Sequence, residues 1–235
     1  MITLHTFPGT PELESFSPFC MKVEVYLRAQ EIPYKAILGD PRKSPKGKMP
    51  FIHDDGAILS DSSAILAHLE KRATTPMDGG LGGDDRARAH VIQRTFEESL
   101  YWVMLWSRWV DDDGWKVLAP RIAAIMPAAV RWLVPGILRG RVKSTLHAQG
   151  TGRHSRDEIF ALGAADIRAI ARLLGDRPFF LGDAPRTIDV VAYAFLANLH
   201  YWERTPLKDV FSAHDNLVAF VARARARFKA GGATT

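Results

Sequence analysis

Lys48-Met49-Pro50-Phe51-Ile52, followed nine residues after Phe51 by Ser60-Asp61-Ser62-Ser63, decides how the first third of the chain reads. An X-Pro bond that opens a short strand can be cis, which turns the N–H and C=O of the preceding residue outward. Met49 is then able to pair with an extended peptide as an added strand. Asp-Ser-Ser at a helix start leaves unpaired backbone N–H groups and the positive end of a dipole facing solvent, which suits a free α-carboxylate. Asp61 is placed to meet the α-amine of the same ligand. Each half alone is an ordinary strand opened by proline or an ordinary capped helix. Their conjunction points to a site for a small peptide.

Upstream, Ile2-Thr3-Leu4-His5-Thr6-Phe7 alternates like a half-buried strand. Ser17-Pro18-Phe19-Cys20 then opens a periodic segment, Met21 to Gln30, with Val23, Tyr26 and Leu27 on one face. Ser17 is an N-cap by type and Pro18 a good first helical residue, so the Ser17 hydroxyl sits at a positive helix end where a thiolate is stabilised. Tyr34 to Leu38 reads as a second strand and Phe51 to His53 as a third. Ala57-Ile58-Leu59 follows as a fourth after the Asp54-Asp55-Gly56 turn. A helix from Asp61 to about Arg72 closes the unit.

On these residues, positions 1 to about 75 resemble the thioredoxin-like N-terminal domain of a glutathione transferase. Within that superfamily, Ser17-Pro18-Phe19-Cys20-Met21-Lys22-Val23-Glu24 with Lys46-Gly47-Lys48-Met49-Pro50-Phe51-Ile52 is most similar to the metaxin and failed-axon-connections branch. The resemblance implies a glutathione backbone paired with Met49 beside a cis Pro50, a γ-glutamyl end held by Asp61 and Ser62, Lys48 near the glycyl carboxylate, and a thiol near Ser17. Many transferases of the superfamily carry Glu-Ser where this chain has Asp61-Ser62, one methylene shorter.

Cys20 is the only cysteine, which excludes an intramolecular disulfide and a structural zinc site built on cysteines. Ser17 takes the place of the exposed nucleophile of a C-x-x-C pair, and Cys20 takes the second, more buried place. Dithiol chemistry is therefore lost. Cys20 reads as a small apolar residue packed under the helix, with glutathione-linked thiol reduction through it as the lesser alternative. The eight histidines show no paired ligand spacing, and no metal is expected.

At 47% hydrophobic and 24% charged, the chain has the composition of a soluble protein large enough for two domains. Thr74 to Asp85 is rich in glycine and turn formers and lacks periodicity, which divides the chain into residues 1–75, a linker over 76–85, and residues 86–235. Segments near 86–110, 115–126, 128–147, 155–175, 187–200 and 214–229 carry apolar residues at spacings of three and four. The expected class is α/β plus all-α, a thioredoxin-like N-terminal domain followed by an all-helical C-terminal domain. Near its end, Phe179 to Tyr193 resembles the capping segment of the transferase C-terminal domain. Asp189 matches its aspartate, whereas Arg186 replaces the usual capping hydroxyl.

Tyr101, Trp102, Trp106 and Trp109 fall on one helix, where the resembled family builds the pocket for its electrophile. A hydrophobic co-substrate can stack on Tyr101, Trp102 and Trp106, although aromatics at helical spacing more commonly fill a core. Pro120 to Leu138 is strongly apolar, but Arg121, Arg131, Pro127 and Pro135 interrupt it, so buried helices are expected there rather than membrane contact. Met1-Ile2-Thr3-Leu4 runs directly into the first strand without a signal pattern, and with the lone cysteine this favours a cytoplasmic, reducing setting. Clusters at Arg139 to Lys143 and Arg223 to Lys229 contribute to a net charge of +5, yet no nucleic-acid recognition motif accompanies them.

The resemblance implies a homodimeric transferase that favours the glutathione thiolate and delivers it to a hydrophobic electrophile by proximity and electrostatic stabilisation. The competing reading is a binding or interaction protein of the metaxin type that retains the dock as scaffold.

Overall fold

The computed structural model describes residues 1–202 and 205–229. Contacts group the chain into two compact units. Among the described residues, one comprises Met1–Gln93, Leu174–Tyr201 and Asn216–Lys229, and the other Arg94–Leu173 with Trp202 and Thr205–Asp215.

The first unit opens with β1 (Ile2–Thr6), α1 (Pro18–Ala29), β2 (Tyr34–Leu38), β3 (Phe51–Asp54), β4 (Ala57–Ser60) and α2 (Ser62–Arg72). The four strands form one sheet in the order β2-β1-β3-β4, with β1 and β2 parallel and the other pairs antiparallel. A βαβ crossover followed by a hairpin and a closing helix is the thioredoxin-like arrangement that the family resemblance implies. Between β2 and β3 there is a single 3₁₀ turn, Pro41–Lys43, capped by the Asp40 carboxylate.

Ser17 caps α1, its side chain accepting from the Cys20 N–H, and Pro18 occupies the first turn, where its missing donor costs nothing. The helix buries Pro18 and Cys20 through Leu27, an almost unbroken run that exceeds a single amphipathic stripe. The reason is α8 (Thr187–His200), which packs on α1 and is itself buried from Ile188 to Leu199. Phe19 meets Phe195 edge-on at 5.5 Å. The Asn198 amide donates to the Ser15 carbonyl at 3.3 Å and to the Ala194 carbonyl at 3.0 Å, fastening the loop before α1 to this helix.

The start of α8 is a second fastening point. Asp189 accepts from the Phe180 and Arg186 N–H groups, both at 2.8 Å. Arg186 holds the cap position without a capping acceptor, since a guanidinium has none to offer. Its Nη1 instead donates to the Met77 and Gly79 carbonyls at 2.7 and 2.9 Å, while the Thr187 N–H donates to Asp78 at 3.0 Å. The substitution of arginine for a hydroxyl thus converts the cap into a clamp on the segment after α2. The unit is completed by most of α10 (Asp215–Lys229), which buries Leu217, Phe220, Val221, Ala224 and Phe228.

Helix α3 (Gly83–Arg94) continues through a π-helical stretch, Thr95–Leu100, into α4 (Tyr101–Trp109). It begins three residues before the expected Arg86, because Asp84 and Asp85 favour a first turn. The second unit then runs through α5 (Asp112–Ala124), α6 (Val134–Gln149), α7 (Arg156–Leu174) and α9 (Pro206–Ser212). Gly114 is required where α5 approaches α4, because a Cβ there would run into the Ser107 carbonyl oxygen. Gly114→Ala should lower stability by about 1–3 kcal/mol through overpacking. A thermal midpoint equal to wild type would contradict this close approach.

One expectation fails in this unit. The apolar run from Pro120 to Leu138 is not buried: Ile125, Val130, Trp132, Leu133 and Ile137 are exposed, Trp132 to 78%. Residues 127–133 form turns rather than helix, and only Ile122 and Pro135 reach the interior among the large side chains flanking them. Among the described residues, no helix is long and apolar enough to cross a membrane.

Candidate functional site

The register of the sheet gathers the candidate residues at one end. His5 lies opposite Phe51, and Phe51 opposite Ser60, so the end of β1, the start of β3 and the end of β4 form one row. The β1–α1 loop with Ser17, the Lys48-Met49-Pro50 approach to β3, and the Asp61-Ser62 start of α2 all extend from that row.

The Met49–Pro50 bond is cis. Among the described residues the Met49 N–H and C=O have no protein hydrogen-bond partner, as a peptide dock requires. Gly39 makes room for the Met49 side chain: a Cβ at Gly39 would collide with its terminal methyl group, while the Gly39 N–H donates to the Thr6 carbonyl at 2.9 Å. Pro50 is buried, and Lys48 is exposed, its ammonium available to an anion.

Asp61 has φ of +84°, a conformation that costs a non-glycine residue about 1–3 kcal/mol and that concentrates at functional positions. Its Oδ1 accepts from the Ser63 N–H at 3.0 Å and the Ala64 N–H at 3.1 Å. The side chain is exposed, and Oδ2 has no protein partner among the described residues. Asp61 therefore caps its own helix with one oxygen and presents the other outward. Ser62 is buried at the first helical position, with its N–H outside the helical ladder.

Beneath this helix start lie two residues whose roles the sequence reading missed. Lys22 is 0% exposed, and its Nζ donates to the Ser63 hydroxyl at 3.0 Å. The Gln93 amide donates to the same oxygen at 3.0 Å. A lysine on a helix that is otherwise apolar on that side was the available signal.

At the start of α1, Ser17 is half-buried and its oxygen accepts from the Cys20 N–H at 3.4 Å, which leaves the hydroxyl proton for donation. Cys20 is completely buried, and burial pushes its thiol up from the ordinary value. The Phe7 backbone and the hydroxyls of Ser17, Thr6 and Ser15 oppose that shift in part. Such a thiol is a poor nucleophile. Nearby, His5 stacks on Phe51 with ring centroids 3.9 Å apart, and burial, aided by His53 and Lys43, lowers its pKa.

Of the aromatic residues on α4, Trp106 is buried edge-on against Phe160 at 5.7 Å and belongs to the core of its unit. Tyr101 and Trp102 are half-exposed and contact one another at 5.3 Å. A cavity of about 500 Å³ lies at the opposite end of the sheet from the dock, lined in part by Ile2, Pro33, Asp54 and Arg72. It shares no residue with the dock.

The model of the glutathione S-transferase N-terminal domain matches residues 18–114, and that of the C-terminal domain matches residues 163–224. The chain is 31% identical over 238 residues to the isoprene-epoxide–glutathione S-transferase of Rhodococcus sp. strain AD45, covering 97% of this chain and 99% of that protein. The chain belongs to the glutathione S-transferase superfamily. Within it the sequence falls in the metaxin-like branch. It is 33% identical to Failed axon connections of Drosophila melanogaster over 95% of this chain, and 25% identical to human Metaxin-1 over 81%. It spans 57% of the fly protein and 42% of the human one. Among solved structures, a glutathione S-transferase of Ceriporiopsis subvermispora in complex with glutathione superposes with a TM-score of 0.65 at 21% identity, covering 100% of this chain and 98% of that one. That likeness fixes the transferase fold.

Proposed function

We propose that this transferase-family protein binds glutathione and conjugates its thiolate to a hydrophobic electrophile. The observation that carries the reading is the convergence, at one end of the sheet, of an unpaired Met49 backbone with a helix start whose strained Asp61 directs a free carboxylate oxygen outward. In this reading the peptide backbone pairs with Met49, and Asp61 and Ser62 take the γ-glutamyl amine and carboxylate. Lys48 meets the glycyl carboxylate. The name of the Rhodococcus relative supports an epoxide as the first electrophile to try. Within the second unit, Tyr101 and Trp102 are half-exposed and offer aromatic surface for stacking by a hydrophobic compound, with Trp106 in the core of that unit.

The hydroxyl of Ser17 at the positive end of α1 would stabilise sulfur as it loses its proton. Ser17→Ala should raise the pKa of the bound thiol and slow conjugation by about 10- to 100-fold, with nearly unchanged glutathione affinity. Cys20→Ser should change the rate far less, since the thiol is buried. Steady-state rates for both variants against pH decide the matter. If Cys20→Ser abolishes activity and Ser17→Ala does not, the chemistry is thiol exchange and the conjugation mechanism fails.

The reading is tested by calorimetry with reduced glutathione, followed by turnover on a panel containing an epoxide, an aryl halide and an enone. Binding with turnover supports the transferase. Binding without turnover on any of them assigns the dock to an interaction protein instead. We further propose a homodimer in a reducing, cytoplasmic setting. Light scattering should give twice the 26.1 kDa chain mass, and a monomer at all accessible concentrations would contradict it.

A further inference from the structure

Between Trp115 and Arg156 the chain carries eight lysines and arginines and no aspartate or glutamate. Three of these bases are neutralised by the acidic run at the start of α5: Lys116 pairs with Asp113, Arg139 with Asp112, and Arg156 with Asp111. Arg131 and Arg141 have no ion pair among the described residues and stand exposed, whereas Lys143 lies within electrostatic reach of Asp112.

The same segment holds the largest exposed aromatic of the second unit. The turn from Pro127 to Leu133 projects Val130, Trp132 and Leu133, and the Trp132 indole N–H donates to the Ala129 carbonyl at 3.1 Å, which sets the ring on the turn. On α6, Pro135, Leu138, Val142 and Leu146 follow the spacing of the inward stripe. Ile137 and Arg141, four residues apart, share the outward face. Leu133, Ile137 and Arg141, at successive spacings of four, thus form one outward stripe beside Trp132 and Arg131.

We propose that this face, centred on Trp132 and Leu133 and rimmed by Arg131 and Arg141, docks on the surface of an anionic phospholipid bilayer. The chemistry is that of an interfacial segment. The indole and aliphatic groups enter the headgroup boundary while the bases meet lipid phosphate and carboxylate charge. No spanning helix is needed. A nucleic acid would use the bases but gain little from Val130, Leu133 and Ile137. A protein partner would have to supply an acidic rim around an apolar centre.

The test is co-sedimentation of the full chain with vesicles of phosphatidylcholine alone and of phosphatidylcholine with 30 mol% phosphatidylserine, at low and high salt. Preferential, salt-sensitive binding to the anionic vesicles is expected. Trp132→Ser with Leu133→Ser should weaken it at least about tenfold. Replacing Arg131 and Arg141 by Gln should weaken it about fivefold per charge removed. Because all four side chains are exposed, the variants should keep the wild-type thermal midpoint. If one does not, single Trp132→Phe, Leu133→Ser and Arg131→Gln variants take its place.

Equal sedimentation with both vesicle types, no sedimentation with either, or variants that bind as tightly as wild type would each overturn the proposal. So would loss of duplex DNA binding or of dimer mass in the variants with vesicle binding unchanged, outcomes that assign the face to nucleic acid or to a second copy. Glutathione affinity is measured on the same samples and should not change, which separates this result from the fate of the conjugation reading.

Discussion

Asp189→Ala is expected to lower stability by about 2–4 kcal/mol, measured by urea unfolding at pH 7. The carboxylate lies in the interior and accepts from the Phe180 and Arg186 N–H groups at 2.8 Å each. Removing it leaves two buried donors unpaired, at about 1–3 kcal/mol each. Relief of the charge's own desolvation offsets part of that loss. The offset is readable as pH dependence. Burial pushes the Asp189 pKa up to about 6 from 3.8, against the two N–H groups, which act to lower it. Between pH about 4 and about 6 the unfolded carboxyl has ionised while the folded one keeps its proton, so folding takes up a proton and stability falls as pH rises. Below about 4 both states are protonated and the penalty is absent. Above about 6 it is fully present, at an order of magnitude of 3 kcal/mol. Asp189→Asn retains an acceptor and cannot ionise, so it should cost less than alanine and remove this part of the slope. An Asp189→Ala protein as stable as wild type at pH 7 would show that the loop before α8 does not depend on the buried carboxylate.

Asp61→Ala should weaken glutathione binding by about 1.5–3 kcal/mol, the scale of a hydrogen bond to a charged group. Two effects must be separated. Asp61 caps α2 through Oδ1, so alanine also removes a cap worth about 1 kcal/mol of stability. Asp61→Asn keeps the Oδ1 acceptor for Ser63 and Ala64 but removes the negative charge offered to the α-amine. It should therefore retain most of the stability while losing affinity nearly as much as alanine does. Asp61→Glu, the residue common in the resembled transferases, should bind. If Asp61→Asn binds as wild type does, the outward oxygen does not meet an amine.

Much of this was legible because the first unit is written in local signals. The alternation over Ile2 to Thr6 and the Asp54-Asp55-Gly56 turn fix the strands to within a residue. Ser17-Pro18 and Asp61 mark helix starts by cap chemistry that acts within three residues. What stayed hidden depends on neighbours distant in sequence. The positive φ of Asp61 follows from how β4 delivers the chain to α2, and no composition rule reports it. Lys22 and Gln93 meet at Ser63 from elements far apart in the chain. Helix α9 is only seven residues long, too short for periodicity, although Thr205-Pro206 was a start signal, with the Thr205 hydroxyl accepting from the Lys208 N–H at 3.4 Å. Apolar text from Pro120 to Leu138 predicts burial, but hydropathy states only what a segment would gain from a partner, and Trp132 stays 78% exposed.

The central claim is that the row formed by Met49, Pro50, Asp61 and Ser62 is a glutathione dock. Titration calorimetry of the full chain with reduced glutathione, run beside Asp61→Asn, tests it most directly. The account predicts one site per chain for wild type and a roughly 10- to 100-fold weaker isotherm for the variant. Absence of heat and of competition by glutathione sulfonate in wild type, or identical isotherms for the two proteins, would contradict it.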